Sequence, residues 1–293
     1  MSFRPRRSVL YMPGSNARAI EKARSLPVDG VILDLEDAVA PDAKAQARQQ
    51  VADAVKAGGF GAREVFIRVN GIDTPWHADD LNAAAHAAPD GILVPKVGTV
   101  GTLERVGQRL LDMKTSLKTR IWAMIETPEA IFNINALAAE AHDSETRLAG
   151  FVMGTNDLAK DTRARLLPGR AAMLPWLMTA LAAARAHGID ILDGVYNNLS
   201  DADGFRTECE QGRDCGFDGK TLIHPDQIAA ANEIYAPSQQ EIESARAIVA
   251  AFEEPENAGK GAISLNGRMV ERLHAEMAKR TLALAETIAE QAQ

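Results

Sequence analysis

The stretch GVILDLEDAV, residues Gly30–Val39, decides how the fold of this chain is interpreted. An apolar run long enough for a buried strand is followed at once by three acidic residues, Asp34, Glu36 and Asp37. A carboxylate at the end of a buried strand is unfavourable by several kcal/mol unless a positive group meets it. We therefore expect the end of this strand to face a cation, together with strand ends of the same kind elsewhere in the chain.

Seven further apolar runs have the same form, each followed by polar residues and then by a helical pattern. They begin at Ser8, Glu64, Gly91, Arg120, Leu148, Asp190 and Gly219. Strand and helix repeated eight times predict parallel strands with right-handed crossovers, and therefore an α/β fold of the (β/α)8 TIM-barrel class. An open doubly wound sheet is disfavoured because no G-x-G-x-x-G follows the first strand. Polar residues also follow nearly all eight runs, whereas an open sheet needs them only near one switch point.

The chain beyond the eighth run predicts additional helices that a barrel does not require. Residues 1–237 are assigned to a barrel catalytic domain, and residues 238–293 to a C-terminal helical extension that acts as a lid or an oligomer arm. The Gly/Asn/Pro-rich segment Pro255–Gly267 is interpreted as a mobile connection to a terminal helix. A plain helical wrap around the barrel is the alternative. At the other end of the chain, Ser15 is predicted to cap the first helix.

Composition limits the classes of function. The chain has 293 residues, of which 46% are hydrophobic, so it can bury a full core. A formal charge of −8 and a pI near 5.4 argue against nucleic acid or an anionic membrane as a partner, since both require a basic surface. The two cysteines are predicted to be reduced thiols, and the sequence has neither a signal-peptide pattern nor an apolar run of ~20 residues. A cytoplasmic protein is expected.

The carboxyl ends of barrel strands meet in one cup, so the polar residues there are the candidates for chemistry. They are Glu36, Asp37, Arg68, Asn70, Lys96, Glu126, Asp157, Asp193, Tyr196 and His224. Because adjacent parallel strands lie ~4.8 Å apart, Glu126 and Asp157 can contact one cation. Oxygen ligands favour Mg²⁺, with Mn²⁺ as an alternative, over zinc. In the competing interpretation Glu126 pairs with Arg68 or Lys96, and Asp157 caps a helix.

Three further features indicate an anionic substrate in the same cup. Arg68 presents a rigid five-donor fork that suits a carboxylate or an α-keto acid, although a structural ion pair with Glu36 or Asp37 is the alternative, and both roles are compatible. The turn before Asp157 is built from small residues whose backbone N–H groups can point at an anion. A Schiff base on Lys96 is disfavoured, because neighbouring carboxylates would hold its amine charged.

Eight motifs, in this order and at this spacing, resemble the HpcH/HpaI aldolase and citrate lyase β-subunit superfamily, in particular its CitE-like and malyl-CoA lyase branch. They are RSVLYMPGSN, VILDLEDAVAPDAK, IRVNG, VPKV, IETPEA, GTNDLAKD, GFDGKTLIHPDQI and GRMVE, and they span nearly the whole chain. The resemblance implies a barrel that assembles as a homotrimer or hexamer and binds Mg²⁺ through Glu126 and Asp157. It also implies that Arg68 and the amides around Asn156 and Asp157 recognise a substrate carboxylate.

The resemblance assigns further residues to the CoA portion of a thioester substrate, namely Tyr11, Lys22, Ile223, His224 and Pro225. Asn16 stands where relatives often carry an arginine. In the last motif relatives often end in Asp, which enters the neighbouring subunit's site as acid or base, whereas this chain has Glu271. The glutamate keeps the carboxyl but is longer by one methylene, and ~1 Å of misplacement can cost ~100-fold in rate.

The resemblance implies a Mg²⁺-dependent lyase that cleaves a 3-hydroxy-3-carboxyacyl-CoA, such as malyl-CoA or β-methylmalyl-CoA, to an acyl-CoA and glyoxylate by retro-Claisen chemistry. Arg68 and Glu271 would take part in the reaction, with Glu36 and Asp37 as anchors beside them. Two alternatives stay open: a (3S)-malyl-CoA thioesterase that uses the same site, and a CitE-type citryl-thioester lyase subunit. The sequence does not decide the acyl chain.

Overall fold

The first eight strands form a closed barrel in a computed structural model that describes residues 4–291. Each strand pairs in parallel with its sequence neighbours, and β8 closes the barrel on β1. The strands are β1 Ser8–Pro13, β2 Gly30–Asp34, β3 Glu64–Arg68, β4 Gly91–Val94, β5 Arg120–Ile125, β6 Leu148–Met153, β7 Asp190–Asp193 and β8 Gly219–Leu222. The predicted (β/α)8 barrel is therefore confirmed. Residues 1–3 and 292–293, which the predicted domain boundaries include, lie outside the described residues.

Helices follow the strands as the repeat predicts. They are α1 Ala17–Ala23, α2 Lys44–Ala57, α3 His77–Ala87, α4 Val100–Asp112, α5 Pro128–Ala139, α6 Thr155–Thr162, α7 Leu174–Ala186, α8 Ala202–Cys215, α9 Ile228–Tyr235, α10 Gln239–Glu253 and α11 Arg272–Gln291. The predicted N-cap Ser15 was wrong by one residue. Asn16 caps α1 by accepting a 3.0 Å hydrogen bond from the Ala19 amide, because a turn that closes on Pro13 precedes it. In residues 4–291 no helix is both long and apolar enough to cross a bilayer.

The interior of the barrel is filled by a cluster of large apolar side chains, called the apolar layer below. They are Val9, Ile32, Phe66, Leu93, Trp122, Met124, Val152 and Leu192. Phe66 and Trp122 meet edge to face, with ring centroids 5.3 Å apart. Because side chains alternate between the two faces of a strand, residues two positions beyond this layer also point inward. Those positions fall at the carboxyl ends of the strands.

The chain divides into two compact units, one of which is Arg6–Asn232 and contains the barrel. In the other unit, the chain from Glu233 onward, helix α10 packs on α11. That unit also contains an antiparallel hairpin of β9 Ala262–Leu265 and β10 Arg268–Glu271. The segment Pro255–Gly267, predicted as a connection to the terminal helix, therefore contains regular structure, and its mobility stays a prediction. The segment holds a short 3-10 turn, strand β9 and the tight turn of the hairpin.

Candidate active site

A cavity of about 310 Å³ lies at the carboxyl ends of the barrel strands. Three of its charged side chains follow the apolar layer by two residues on the same strand: Asp34 after Ile32, Arg68 after Phe66, and Glu126 after Met124. Strand alternation therefore aims each of them into the cavity. The remaining lining residues are Tyr11, Asp37, Ala38, Met124, Met153, Gly154, Thr155, Asn156, Asp157, Val195, Asn197, Thr221 and Ile223.

Arg68 is held at the centre of this site mainly by Asp34. The two residues are register partners on β2 and β3, and Nε and Nη2 of Arg68 donate to the two carboxylate oxygens at 2.6 and 2.7 Å. Burial opposes ionisation of Asp34, but Arg68 and two backbone amides outweigh it and hold the pKa of this carboxyl below its usual range. The Tyr11 ring lies 4.9 Å beneath the guanidinium. The sequence had suggested Glu36 and Asp37 as the anchors of Arg68, whereas its bidentate partner is Asp34.

Glu36 and Asp37 contact the remaining edge of the same guanidinium. Their carboxylate oxygens lie 2.8 and 3.3 Å from Nη1 of Arg68. The Oε2 atom of Glu36 is buried and accepts no hydrogen bond from the described residues, so its contact with Arg68 is one of charge alone. Burial raises the pKa of Glu36 to about 8, because the charge of Arg68 is already shared with Asp34 and Asp37 adds repulsion. Glu36 is therefore the carboxyl group of this cluster whose negative charge Arg68 compensates least.

Glu126 follows β5 and is fully enclosed. Its Oε1 accepts a 2.7 Å hydrogen bond from the backbone N–H of Lys96, a residue whose φ of +54° is uncommon for a side chain of this kind. Gly154 leaves the space that the carboxylate fills, because a Cβ there would lie 2.4 Å from Oε2. Burial raises the pKa of Glu126 to about 7, although Lys96 opposes the shift. A carboxylate in this position favours a cation beside it.

Asp157 lies in the first turn of α6 and lines the same cavity as Glu126. Its Oδ1 accepts a 3.0 Å hydrogen bond from Nζ of Lys96, whose side chain is half exposed. Partial burial alone would lower the pKa of this lysine, but the bond to Asp157 and the charge of Glu126 raise it. The ammonium of Lys96 is therefore held in its charged form, bonded to Asp157 and influenced by the charge of Glu126, and this state disfavours a Schiff base.

The donor set fits a hard divalent cation. Asp34, Glu36, Asp37, Glu126 and Asp157 place five carboxyl groups around only two cationic side chains, those of Arg68 and Lys96. The buried carboxyl of Glu126, whose pKa is raised by burial, is stabilised in its ionised form by a neighbouring positive charge. In the part of the chain that the structure describes, no three His, Cys, Asp or Glu residues converge as a metal site. Two carboxylates are nevertheless the usual protein share for Mg²⁺, which takes its other ligands from substrate and water.

The other predicted residues are divided between the cavity and other places. Asn156 lines the cavity and forms a reciprocal amide pair with Asn197, at 2.7 and 3.2 Å, while Tyr11 and Ile223 also line it. The residues found around the cavity in the described chain do not include Lys22, His224, Pro225 or Glu271. His224 accepts a hydrogen bond from the Asp226 amide and caps the turn after β8, and Lys22 is exposed on α1. Glu271 ends strand β10 in the other compact unit.

Two of the strand-end residues point away from the cup in which they were placed. Asp193 follows the inward Leu192 by one position, so it faces outward and is fully buried between Arg170 and Lys220, at 2.7 and 2.9 Å. Asn70 donates to the Leu35 carbonyl behind the cavity. The same alternation, applied to the sequence, would have selected Asp34 and rejected Asp193. Asn197 was also missed, and no pattern in the sequence marks it.

The fold and the cavity define an α/β-barrel enzyme with an acidic site at the carboxyl ends of its strands. The chain belongs to the HpcH/HpaI aldolase/citrate lyase family, whose family model matches residues 7–225. The resemblance seen in the motifs is thereby confirmed.

Individual relatives cover nearly the whole chain. A (3S)-malyl-CoA thioesterase of Cereibacter sphaeroides is 50% identical over 285 residues, which are 97% of this chain and 96% of the relative. The citrate lyase subunit beta of Escherichia coli is 34% identical over 288 residues, 97% of this chain and 94% of the relative. Among solved structures, the protein CitE of Mycobacterium tuberculosis in complex with magnesium, acetoacetate and coenzyme A matches with a TM-score of 0.77 and 27% identity. That match covers 97% of this chain and 98% of CitE.

Proposed function

We propose that this protein is a Mg²⁺-dependent enzyme that hydrolyses (3S)-malyl-CoA to malate and free CoA. One observation carries the proposal: Glu126 and Asp157 line one cavity beside Arg68, and Lys96 bonds to both, through its backbone N–H to Glu126 and through its ammonium to Asp157. The substrate is suggested by the 50% identical thioesterase, and the metal by the magnesium complex of CitE. The retro-Claisen lyase, which yields glyoxylate and acetyl-CoA, is the second candidate. It is favoured by the citrate lyase relatives, among which a citryl-thioester lyase subunit is a third.

Glu126 and Asp157 would hold the metal, and when bound it would polarise the carboxylate and hydroxyl oxygens of the substrate and fix the malyl group. The first-turn N–H groups of α6, around Asn156 and Asp157, would bind the carboxylate, since they have no partners within the helix. Arg68 would supply positive charge next to this group, with its orientation fixed by Asp34. The apolar side chains of Met153, Val195 and Ile223 would line the path of the thioester.

The choice between hydrolysis and carbon–carbon cleavage depends on the proton-transferring group. Glu271 is our candidate, as a base that activates water against the thioester carbonyl in hydrolysis, or as the acid that protonates the leaving enolate in cleavage. The side chain of Glu271 is one methylene longer than that of Asp, so its carboxyl is displaced. We infer that this displacement favours proton transfer from water over proton transfer to the enolate carbon. Its access to the site from a neighbouring subunit stays a prediction.

Product analysis tests the proposal. Purified protein, malyl-CoA and Mg²⁺ should give malate and free CoA in equal amounts, with turnover abolished by EDTA and restored by Mg²⁺ or Mn²⁺. Glu126→Gln should lower kcat/KM more than about 100-fold, whereas Glu129→Gln, on the exposed start of α5, should leave it unchanged. Glyoxylate with acetyl-CoA would establish the lyase instead. Turnover that survives EDTA would refute the metal-dependent chemistry of both.

A further inference from the structure

Lys44 is a buried lysine behind the candidate site. It is the first residue of α2 and only 5% exposed, and its Nζ donates to the backbone carbonyls of Leu35 and Glu36 at 2.9 and 2.8 Å. The ammonium also lies 5.0 Å from the centre of the Trp76 ring. Burying a lysine is unfavourable unless its donors are satisfied. Here they are satisfied by the loop that carries Glu36 and Asp37.

A second set of side chains holds the same loop from the neighbouring strand. Nδ2 of Asn70 donates to the Leu35 carbonyl at 2.8 Å, so this oxygen accepts from both Asn70 and Lys44. Asn70 is in turn bonded to Asp80, which is fully buried and paired with Nε of Arg48 at 2.7 Å. The loop is therefore fixed from behind both by the Lys44 ammonium and by Asn70, which the Asp80–Arg48 ion pair holds in place.

The front of the loop faces the cavity. The amides of Glu36 and Ala38 donate to the two oxygens of Asp34 at 2.9 and 3.0 Å, and Glu36 and Asp37 reach Arg68 from it. Side chains on two sides thus hold Leu35–Val39: Asp34 at the front, and Lys44 together with Asn70 at the back. Without Lys44, the carbonyls of Leu35 and Glu36 would lose their hydrogen bonds to Nζ, and Asn70 would hold the back of the loop through the Leu35 carbonyl alone.

We propose that Lys44 is a positioning residue, which fixes the Leu35–Val39 loop so that Glu36 and Asp37 stay against Arg68 in the active site. Lys44 does not line the cavity, so it acts through the loop and not on the substrate. The consequence for turnover rests on the proposed function, whereas the consequence for the loop does not. The competing view is that Lys44 only contributes to overall stability.

The test uses Lys44→Met, which keeps the length of the side chain but removes the charge and the donors. Lys56→Met is the matched control, because Lys56 is exposed on the same helix. In hydrogen–deuterium exchange, amides of residues 35–39 should exchange at least about tenfold faster in Lys44→Met, while those of β2 and β5 keep their wild-type rates. With malyl-CoA, kcat should fall at least about tenfold with KM within about threefold, because positioning is lost and binding is kept.

Two results would overturn the proposal: unchanged exchange in residues 35–39, or a uniform rise in exchange throughout the barrel with kcat retained. Lys44→Arg, which keeps charge and donors, should restore slow exchange in the loop. If Lys44→Met does not fold, Lys44→Gln removes the charge and shortens the side chain while keeping an amide group, and faster exchange in residues 35–39 is again expected. A wild-type protein that is inert toward malyl-CoA would refute the proposed function, and the exchange rates would still decide the role of Lys44.

Discussion

Arg68 carries one positive charge but contacts three carboxyl groups, and their geometries differ. Asp34 makes two short hydrogen bonds, Glu36 makes a buried contact without hydrogen-bond geometry, and Asp37 is 65% exposed. One guanidinium cannot neutralise all three. The ionised form of Glu36 is the least stabilised of the three, because this carboxyl is desolvated and makes no hydrogen bond to Arg68. Its pKa rises to about 8.

This arrangement predicts how stability depends on pH. A carboxyl whose pKa is raised by folding stabilises the protein at low pH, and this contribution is lost as the pH rises through the folded value. Glu36→Gln has no such titration. Wild type should therefore lose stability relative to Glu36→Gln as the pH rises. The difference in free energy of unfolding, Glu36→Gln minus wild type, should increase by a few kcal/mol between about pH 5.5 and about pH 8.5.

Urea unfolding of both proteins at several pH values measures this difference. Asp37→Asn is the control in the same loop, and it should change the free energy of unfolding by less than about 1 kcal/mol at any pH, because an exposed ion pair contributes little. A wild-type protein that gained stability over Glu36→Gln with rising pH would show that Glu36 is ionised in the folded state.

The residues of the site were only partly predictable from the sequence. Glu126, Asp157 and Arg68 could be selected because they lie at or shortly after the ends of strands, on one side of the barrel. Asp34 is predictable from strand alternation, since it lies two positions after Ile32, whereas the polar run after the strand favours Glu36 and Asp37. Asn197 and Lys44 depend on how loops fold over one another, which no local pattern encodes.

At the scale of elements, the sequence predicted the barrel strands but missed the hairpin of β9 and β10. The barrel repeats one unit eight times, so errors at single positions do not affect the assignment. The hairpin has a single short signal, Asn266 followed by Gly267, with φ of +48° and +75°. An Asn-Gly pair is typical of the type I′ turn that joins the two strands of a hairpin with a two-residue loop. It was hidden within a segment whose Gly and Pro content suggested an irregular link.

Two glycines of this unit provide a matched test of the turn. A Cβ on either Gly261 or Gly267 would meet no other atom within 4 Å, but only Gly267 has a positive φ. Gly267→Ala should therefore destabilise the hairpin by about 1 kcal/mol, through backbone strain alone. Amide exchange in residues 262–271 should rise about fivefold.

Gly261→Ala, in contrast, should leave the same exchange rates unchanged or lower, because it restricts only the unfolded chain. Equal effects of the two substitutions would mean that the turn does not require a left-handed residue. Since Glu271 is the last residue of β10, the hairpin that holds it is also the element on which its placement depends.

At the scale of the whole molecule, the main prediction from the sequence concerns assembly, and it stays a prediction. The resemblance implies a homotrimer or hexamer in which the C-terminal segment reaches a neighbouring subunit. The C-terminal unit exposes large apolar side chains, with Met269, Leu273 and Met277 at 71%, 49% and 63%. Leu273 and Met277 are four residues apart on α11 and share one face, and exposed apolar groups of this kind are common at interfaces.

Complementation between two inactive variants decides whether Glu271 acts on its own chain or on a neighbour. Asp157→Asn would remove a proposed metal ligand from the barrel, and Glu271→Gln would remove the proposed acid or base. If each site combines Asp157 of one subunit with Glu271 of the next, random mixing in equal amounts leaves both groups intact in about a quarter of the sites of a cyclic oligomer. Co-expressed variants should then recover about a quarter of the wild-type kcat with malyl-CoA, although each variant alone is inactive. Light scattering should confirm the oligomer in all three samples. If Glu271 serves its own chain, every site in the mixture lacks one group, and activity stays at the level of the separate variants.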